Sequence, residues 1–264
     1  MNKGNLNELT GGDWLKNSFS IWRDINKTPE EKALKHPAMF PSQLASRIIE
    51  IYTKKKAVVL DPFMGVGSTV ISAFEKNRIG VGFEISKEFV VITKERLKHR
   101  VKTTNDHSAV KIYNTDAREM LDSLKLNSVD LCLTSPPYWD ILNMRRTADG
   151  KQSKNYGNLD KDLGNISEYE RFLNELMGIF ENVKAVLKNG AHCIIVVMDI
   201  RKKDKFYPLH SDIADRMKKI GFGFEDIIIW DRQHEYNNMR PLGYPFVFRV
   251  NKVHEYILIF KKLI

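Results

Sequence analysis

Apolar runs of strand length alternate along this chain with segments of helical period, and no other feature constrains the fold as tightly. A strand that is apolar at nearly every position must be covered on both faces. Helices inserted between such strands supply the cover, so the pattern predicts an α/β fold with a mostly parallel sheet and helices on both sides. The elements read as a helix over 41–53 with Pro41 at its start, a strand at 57–61, a helix at 68–77, a strand at 80–84, and a helix at 86–100 capped by Ser86. A strand at 110–113, a short helix at 117–124 and a strand at 129–134 follow. A helix from 166 or 167 to 187, stopped by Asn189-Gly190, leads to a strand at 191–198. A helix at 209–220 and strands at 224–230 and 255–260 complete a sheet of about seven strands. Residues 1–264 read as a single domain, with 1–35 a polar N-terminal extension.

Lys and Arg number 42 against 33 Asp and Glu, a formal net charge of +9, and the resulting field attracts polyanions such as nucleic acid. Surface lysines also serve solubility, so charge alone names no partner. The two cysteines, Cys132 and Cys193, lie inside apolar runs and read as buried thiols rather than a disulfide or metal site. The seven histidines lack ligand spacing, and His36 and His254 read as structural; no metal is expected. No apolar stretch reaches the length of a membrane span, and the polar start lacks the apolar core of a signal peptide, so a cytoplasmic protein without membrane contact is expected.

The first constellation with chemical content is VVLDPFMGVGST, in which a buried strand ends at Asp61 and a turn holding Gly65 and Gly67 opens a helix. Glycine there lets backbone approach a ligand closely. By itself the pattern also describes an ordinary tight strand-to-helix turn. Glu84 ends the next strand 23 residues beyond Asp61, near the ~20-residue offset of a ribose-binding acid. Asp116 follows the third strand, where it could reach an adenine amino group or simply cap a helix. A full GxGxxG is missing, and Ser68-Thr69-Val70 lacks the lysine of a P-loop, which weakens nicotinamide and ATP readings. Three acids and a short glycine turn suit S-adenosylmethionine, which carries a ribose, an adenine, an ammonium and a carboxylate but no phosphate.

The second constellation, Thr134-Ser135-Pro136-Pro137-Tyr138-Trp139, follows the fourth strand. Two prolines fix φ and remove backbone donors while leaving carbonyl acceptors, and an aromatic ring follows. Such a corner suits an exposed planar amine; it would also serve as a plain strand terminator.

TSPPYW together with DPFMGVGST resembles the DNA amino-methyltransferases, whose hallmark motifs are [Ser/Asp/Asn]-Pro-Pro-Tyr and Phe-x-Gly-x-Gly. The likeness extends through HPAMFPSQLASRIIEIYT to the closing HEYILIFKK, and so from residue 36 to 262. It implies the class I methyltransferase (Rossmann-like) fold with S-adenosylmethionine as cofactor. Phe63, Gly65 and Gly67 would cradle the cofactor with Asp61, Pro62, Ser68, Thr69, Ile85 and Thr134 around them. Glu84 would hold its ribose, Asp116 its adenine, and Phe40 and Pro41 would flank its methionine part. Ser135 and the Pro136 carbonyl, beside Pro137, would accept hydrogen bonds from the target amine, with Tyr138 stacking on the base and Trp139 extending the stack.

The lone pair of cytosine N4 or adenine N6 is delocalised into the ring, and two acceptors bias the nitrogen towards sp³. A methyl held in line at about 3–3.5 Å can then transfer by direct displacement. The base must leave the duplex stack to be reached, at a cost of a few kcal/mol. Cytosine C5 chemistry is disfavoured, because it needs a cysteine nucleophile after proline and neither cysteine follows one. Serine in the first motif position resembles the cytosine-N4 enzymes, with adenine N6 as runner-up. An RNA-modifying relative, a silent nucleic-acid binder and a nicotinamide dehydrogenase stand further back. The glycine motif precedes the proline motif here, an order that is circularly permuted in many relatives of this family. Two long connections, 139–165 and 231–254, are candidate DNA-recognition loops. Arg145, Arg146, Lys151, Lys154, Arg232 and Arg240 could contact phosphates there, and Gln233 and Asn237 could read base edges. Double-stranded DNA is the expected partner, with a paired restriction endonuclease in a restriction-modification setting and a monomer or homodimer as the assembly.

Overall fold

A computed structural model of the chain describes residues 5–34, 39–101, 109–140, 162–235 and 241–264. Near the N-terminus, α1 (Gly11–Asn17), the short strand β1 (Ile21–Trp22) and α2 (Pro29–Ala33) precede α3 (Ser42–Tyr52). The alternation then runs β2 (Val58–Asp61), α4 (Ser68–Glu75), β3 (Ile79–Phe83), α5 (Lys87–Val101), β4 (Val110–Tyr113), β5 (Val129–Thr134), α6 (Tyr169–Val186) and β6 (Leu187–Val197). A hairpin of β7 (Ile200–Lys202) and β8 (Lys205–Tyr207) leads through α7 (Leu209–Lys219) to β9 (Phe222–Asp231) and β10 (His254–Lys262).

Among the described residues, eight strands form one sheet in the order β1-β9-β10-β6-β5-β2-β3-β4. β2 runs parallel to β3 and β5, β3 to β4, β5 to β6 and β1 to β9, whereas β10 lies antiparallel between β6 and β9. β9 therefore points the same way as β5, and the segments that follow β2, β3, β5, β6 and β9 all emerge at one edge. The winding reverses between β2 and β5, because β2, β3 and β4 step outward before β5 returns to the other side of β2. Open α/β sheets bind ligands at such a switch point.

The central strands are buried on both faces, which is why their sequences are apolar without alternation. From β5 and β6, Cys132, Cys193, Ile195 and Val197 pack with Phe172, Leu176 and Phe180 of α6 and with Met217 of α7. Leu131, Leu133, Ile194 and Val196 point the other way, onto Leu44 and Ile48 of α3 and onto Trp22, Ile25 and Trp230. Cys132 and Cys193 are free, buried and opposite one another in the register, and burial holds the Cys132 thiol well above its ordinary pKa.

Three features depart from the sequence reading. The helix expected to run to 187 and stop at Asn189-Gly190 ends at Val186: Leu187 turns extended, is fully buried, and pairs with Val129. Burying Leu187 in the sheet outweighs the local Gly signal, and Gly190 (φ +76°) sits inside β6 where the register with β5 shifts. The polar extension 1–35 contributes to the sheet, since β1 pairs with β9 and Trp22 and Ile25 enter the core. The β7–β8 hairpin is additional; Lys203 at φ +54° makes its turn.

The N-terminal segment also reaches the back of the glycine turn that follows β2. Glu31 is buried and accepts from the backbone N and hydroxyl of Ser42 at 2.7 and 2.5 Å, holding the first turn of α3. Arg96 of α5, also buried, donates to the Val66 carbonyl at 2.5 Å and lies 3.5 and 3.8 Å from Glu30 and Glu31. Among the described residues no helix is long and apolar enough to cross a membrane.

Candidate active site

β2 ends at Asp61 and its neighbour β5 ends at Thr134, so the glycine turn and the double-proline corner leave adjacent strands side by side. The turn is tight: Met64 N donates to Phe83 O and Gly67 N to Met64 O, both at 2.9 Å. Gly67 takes φ +86°, and a Cβ there would lie 2.5 Å from Thr93 Cγ2, so the backbone conformation and the packing both demand glycine. α4 begins immediately after. Ser68 donates to the Phe40 carbonyl at 2.9 Å, drawing the segment before α3 over the crevice, and Thr69 donates to Leu133 O at 3.3 Å.

The acids are disposed in different ways. Glu84 accepts from Gly65 N at 2.8 Å and Ser86 N at 2.7 Å, and burial pushes its carboxyl up to about 7. Asp61 accepts the Thr134 hydroxyl at 2.6 Å and Phe63 N at 3.0 Å, and burial pushes it up to about 6. Asp116 caps the 3₁₀ helix Ala117–Asp122 through Arg118 N at 2.9 Å and pairs with the Arg118 guanidinium at 3.0 Å, so its capping role is realised. A fourth acid went unread in the sequence. Asp162 is buried, accepts from Gly164 N at 2.8 Å, and is raised by desolvation. The signal was its place before Leu163-Gly164, a capping position inside the 139–165 connection that the sequence reading took as a recognition loop.

These groups surround one crevice of about 870 Å³, its solvent-open part included. Phe40, Asp61, Pro62, Phe63, Gly65 and Ser68 form one wall. Glu84, Ile85 and Asp116 form a second, with Asp162 and Leu163 beyond, and Ser135 and Pro137 close the side at the proline corner. Pro41, Gly67, Thr69, Thr134, Pro136 and Tyr138 adjoin these lining residues in the chain.

At the corner, Ser135 is half-buried and its Oγ lies 3.0 Å from the Tyr138 hydroxyl. Tyr138 turns that hydroxyl inward, donating to Glu255 Oε2 at 2.8 Å, with the Val196 carbonyl at 3.3 Å. Glu255, buried at the start of β10, bonds through its other oxygen to Arg232.

Two expectations for DNA contacts are corrected. Trp139 does not extend a stacking surface: it is 4 % exposed, takes φ +54°, and packs against Tyr169 and Tyr207 at ring distances of 5.0 and 4.9 Å beneath the Lys202 ammonium. A large aromatic ring gains more from that core than from solvent. Arg232 does not present a free guanidinium to phosphate, since it pairs with Glu255 and with Glu235 at 2.6 Å and lies over the Trp230 ring. Gln233 is exposed. Arg145, Arg146, Lys151, Lys154, Asn237 and Arg240 lie outside the described residues, as does His36. The second connection carries an element the sequence reading passed over. Phe246 and Phe248 are 90 and 94 % exposed, next to Tyr244 and Val250, on the edge to which the crevice opens. Arg249 ties this loop to Asp204 in the β7–β8 turn. The apolar run Tyr-Pro-Phe-Val-Phe in an otherwise polar connection was the available signal.

A mostly parallel sheet whose C-terminal strand is antiparallel, with a glycine turn after its first central strand and an acid after the next, is the class I methyltransferase fold. A sequence model of the DNA methylase family that groups N6 and N4 enzymes matches residues 3–95 and 129–263, and the chain belongs to that family. The orphan methyltransferase M.BamHII of Bacillus amyloliquefaciens is 42% identical over 87 residues, 31% of this chain and 33% of that protein. Type II methyltransferase M.BglII of Bacillus subtilis is 34% identical over 106 residues, 39% of this chain and 29% of its own length. The matched segments thus span about a third of these relatives. Among solved structures, a SAM-dependent methyltransferase from Methanosarcina mazei superposes with a TM-score of 0.53 at 13% identity, covering 82% of this chain and 97% of that one, a likeness of fold.

Proposed function

We propose that this protein transfers a methyl group from S-adenosylmethionine to the exocyclic N4 amine of a cytosine extruded from double-stranded DNA. The observation that carries the reading is the shared crevice: Ser135 and Pro137 line it together with Gly65 and Glu84, and the Thr134–Asp61 hydrogen bond joins the two turns.

The donor set fits the cofactor. Among the described residues, Asp61, Glu84, Asp116 and Asp162 line the crevice against one cation, Arg118, which is already paired with Asp116 and Glu175. Such a lining repels a di- or triphosphate and suits a ligand with a cationic sulfonium and ammonium and several hydroxyl donors. Glu84 keeps lone pairs free for ribose hydroxyls after its two backbone bonds, and Phe63 and Ile85 offer apolar surface to an adenine. When bound, the cofactor supplies an electrophilic methyl carbon. The protein's part is to bring the amine to it: Ser135 Oγ and the Pro136 carbonyl accept the two N–H groups, freeing the nitrogen lone pair, and the half-buried Tyr138 ring offers a surface for the base. Orientation of this kind can supply about 7–11 kcal/mol of the barrier.

DNA meets the rim rather than the crevice. The chain carries +9 overall while the crevice is acidic, so the basic surface lies outside it. The Phe246–Phe248 loop and the β7–β8 turn, with Lys203 and Lys205, emerge on the same edge as Ser135 and suit duplex opened around a flipped base. Serine in the first motif position favours cytosine over adenine.

The test incubates the protein with labelled S-adenosylmethionine and a sequence-diverse DNA, followed by sequencing that distinguishes N4-methylcytosine from N6-methyladenine. Modified cytosine at a defined motif is the expected result. Modified adenine transfers the reading to N6, and labelled RNA with unlabelled DNA overturns it.

A further inference from the structure

The proline corner has serine where a carboxylate would be a ready base, and direct displacement leaves a proton to be removed. Methylating an exocyclic amine first gives a cationic nitrogen, which is strongly acidic because losing the proton restores conjugation with the ring. Serine can accept that proton only by passing its own onward.

The structure contains the onward path. Ser135 Oγ lies 3.0 Å from the Tyr138 hydroxyl, and the Tyr138 hydroxyl donates to Glu255 Oε2 at 2.8 Å. All three groups can be polarised the same way, with Ser135 donating to Tyr138 and Tyr138 to Glu255, which leaves a Ser135 lone pair facing the crevice. Glu255 is 6 % exposed, and nothing in the stacking or cofactor roles requires a buried carboxylate there. It comes from β10, more than a hundred residues from the corner it meets, so local sequence cannot have placed it. From this geometry we infer that Glu255 is the terminal proton acceptor of the methyl transfer, reached through a two-hydroxyl relay of Ser135 and Tyr138. The inference rests on the amine-methylation reading.

The step balances. The nitrogen lone pair forms the N–CH₃ bond as the methyl's former bond breaks. The N–H proton then passes to Ser135 Oγ, the Ser135 proton to the Tyr138 oxygen, and the Tyr138 proton to Glu255, which ends as a neutral carboxyl. Tyr138 never becomes a free phenolate; its burial beside Glu255 holds its pKa well above the ordinary value, which is what a conduit requires. The groups facing Glu255 are Tyr138 from the corner and Arg232 after β9, with Glu235 bonded to the far side of Arg232 and Lys27 nearby from the N-terminal segment. A carboxylate suffices as acceptor for so acidic a donor.

The test compares wild type, Glu255→Gln, Glu255→Asp and Tyr138→Phe in single-turnover methylation across pH, on the DNA site identified for the wild type. Wild type is expected to lose rate at acid pH as Glu255 becomes protonated. Glu255→Gln should be about 100-fold slower, without that acid limb and with unchanged cofactor affinity. Tyr138→Phe should match it, and Glu255→Asp should recover both rate and acid limb in part. A second readout needs no turnover: in the ligand-free protein, the phenol absorbance assigned to Tyr138 by difference from Tyr138→Phe should titrate at lower pH in Glu255→Gln. Should Glu255→Gln fail to fold, Tyr138→Phe carries the same rate prediction. Full rate with an intact acid limb in either variant overturns the relay. A wild type that methylates no nucleic acid would instead sink the amine-methylation reading itself.

Discussion

Thr134 donates its hydroxyl to Asp61 Oδ1 at 2.6 Å, joining the last residue of β5 to the last residue of β2. The bond spans the switch point of the sheet and connects the two turns that the proposed chemistry needs in register. Thr134→Val removes the donor and leaves a buried carboxyl with one partner fewer, which should cost about 1–3 kcal/mol in denaturant unfolding. Cofactor affinity should fall as well, by about tenfold, read by calorimetry. Unchanged stability and affinity would show that the two turns hold their positions independently.

Ser135→Ala keeps the corner's shape and removes the amine acceptor. Turnover on DNA should fall by about 100-fold or more while cofactor affinity stays within about twofold of wild type. Full turnover in this variant excludes Ser135 from the chemistry.

Asp61 and Glu84 make the ligand-free protein acid-tolerant in a defined window. Their carboxyls sit at about 6 and about 7, above the unfolded values near about 4, so the folded state binds protons that the unfolded chain has released. The stability they contribute is fully present below the unfolded pKa and is lost as pH rises through about 7. A cationic ligand with hydroxyl donors favours the ionised forms. Cofactor binding near pH 6.5 should therefore release protons, and affinity should rise from pH 5.5 to 8. Binding heats in two buffers of different ionisation enthalpy measure the release, which Glu84→Gln should reduce.

Gly67→Ala places a Cβ 2.5 Å from Thr93 Cγ2 on a backbone at φ +86°. The loss should be about 2–4 kcal/mol, of which about 1–2 is backbone strain. Adding Thr93→Ala should restore the packing part and leave the strain part, a split that thermal unfolding of the single and double variants resolves.

Phe246→Ala with Phe248→Ala removes two rings that are almost fully exposed among the described residues. Stability should change by less than about 0.5 kcal/mol, whereas DNA affinity should drop at least tenfold in a gel-shift or anisotropy titration. A double variant that binds DNA like wild type moves the contact surface elsewhere on the rim.

The alternation of apolar runs and helical periods made the βα order legible, because strands buried on both faces cannot hide their composition; β2, β4 and β5 lie within a residue of their expected bounds. The Phe-x-Gly-x-Gly turn and the Ser-Pro-Pro-Tyr corner were legible for a related reason, since their chemistry is local in sequence. What sequence could not supply was pairing across distance. Glu255 at Tyr138, Arg232 turned to Glu255, and Trp139 sunk among Tyr169 and Tyr207 are outcomes of tertiary packing. Trp139 beside a functional motif and Arg232 in a basic loop both read as surface groups until their neighbours are known. The two-residue β1 carries too little pattern to be seen at all; its partner β9 and the burial of Trp22 create it.

Arg96 gives the opening of the chain a voice in ligand affinity. Its guanidinium holds the back of the glycine turn at Val66 and answers to Glu30 and Glu31, so a change thirty residues before the first motif can loosen the cradle without touching any atom that meets the ligand. Under the proposed function, sequence drift in that stretch would surface as a shifted demand for methyl donor.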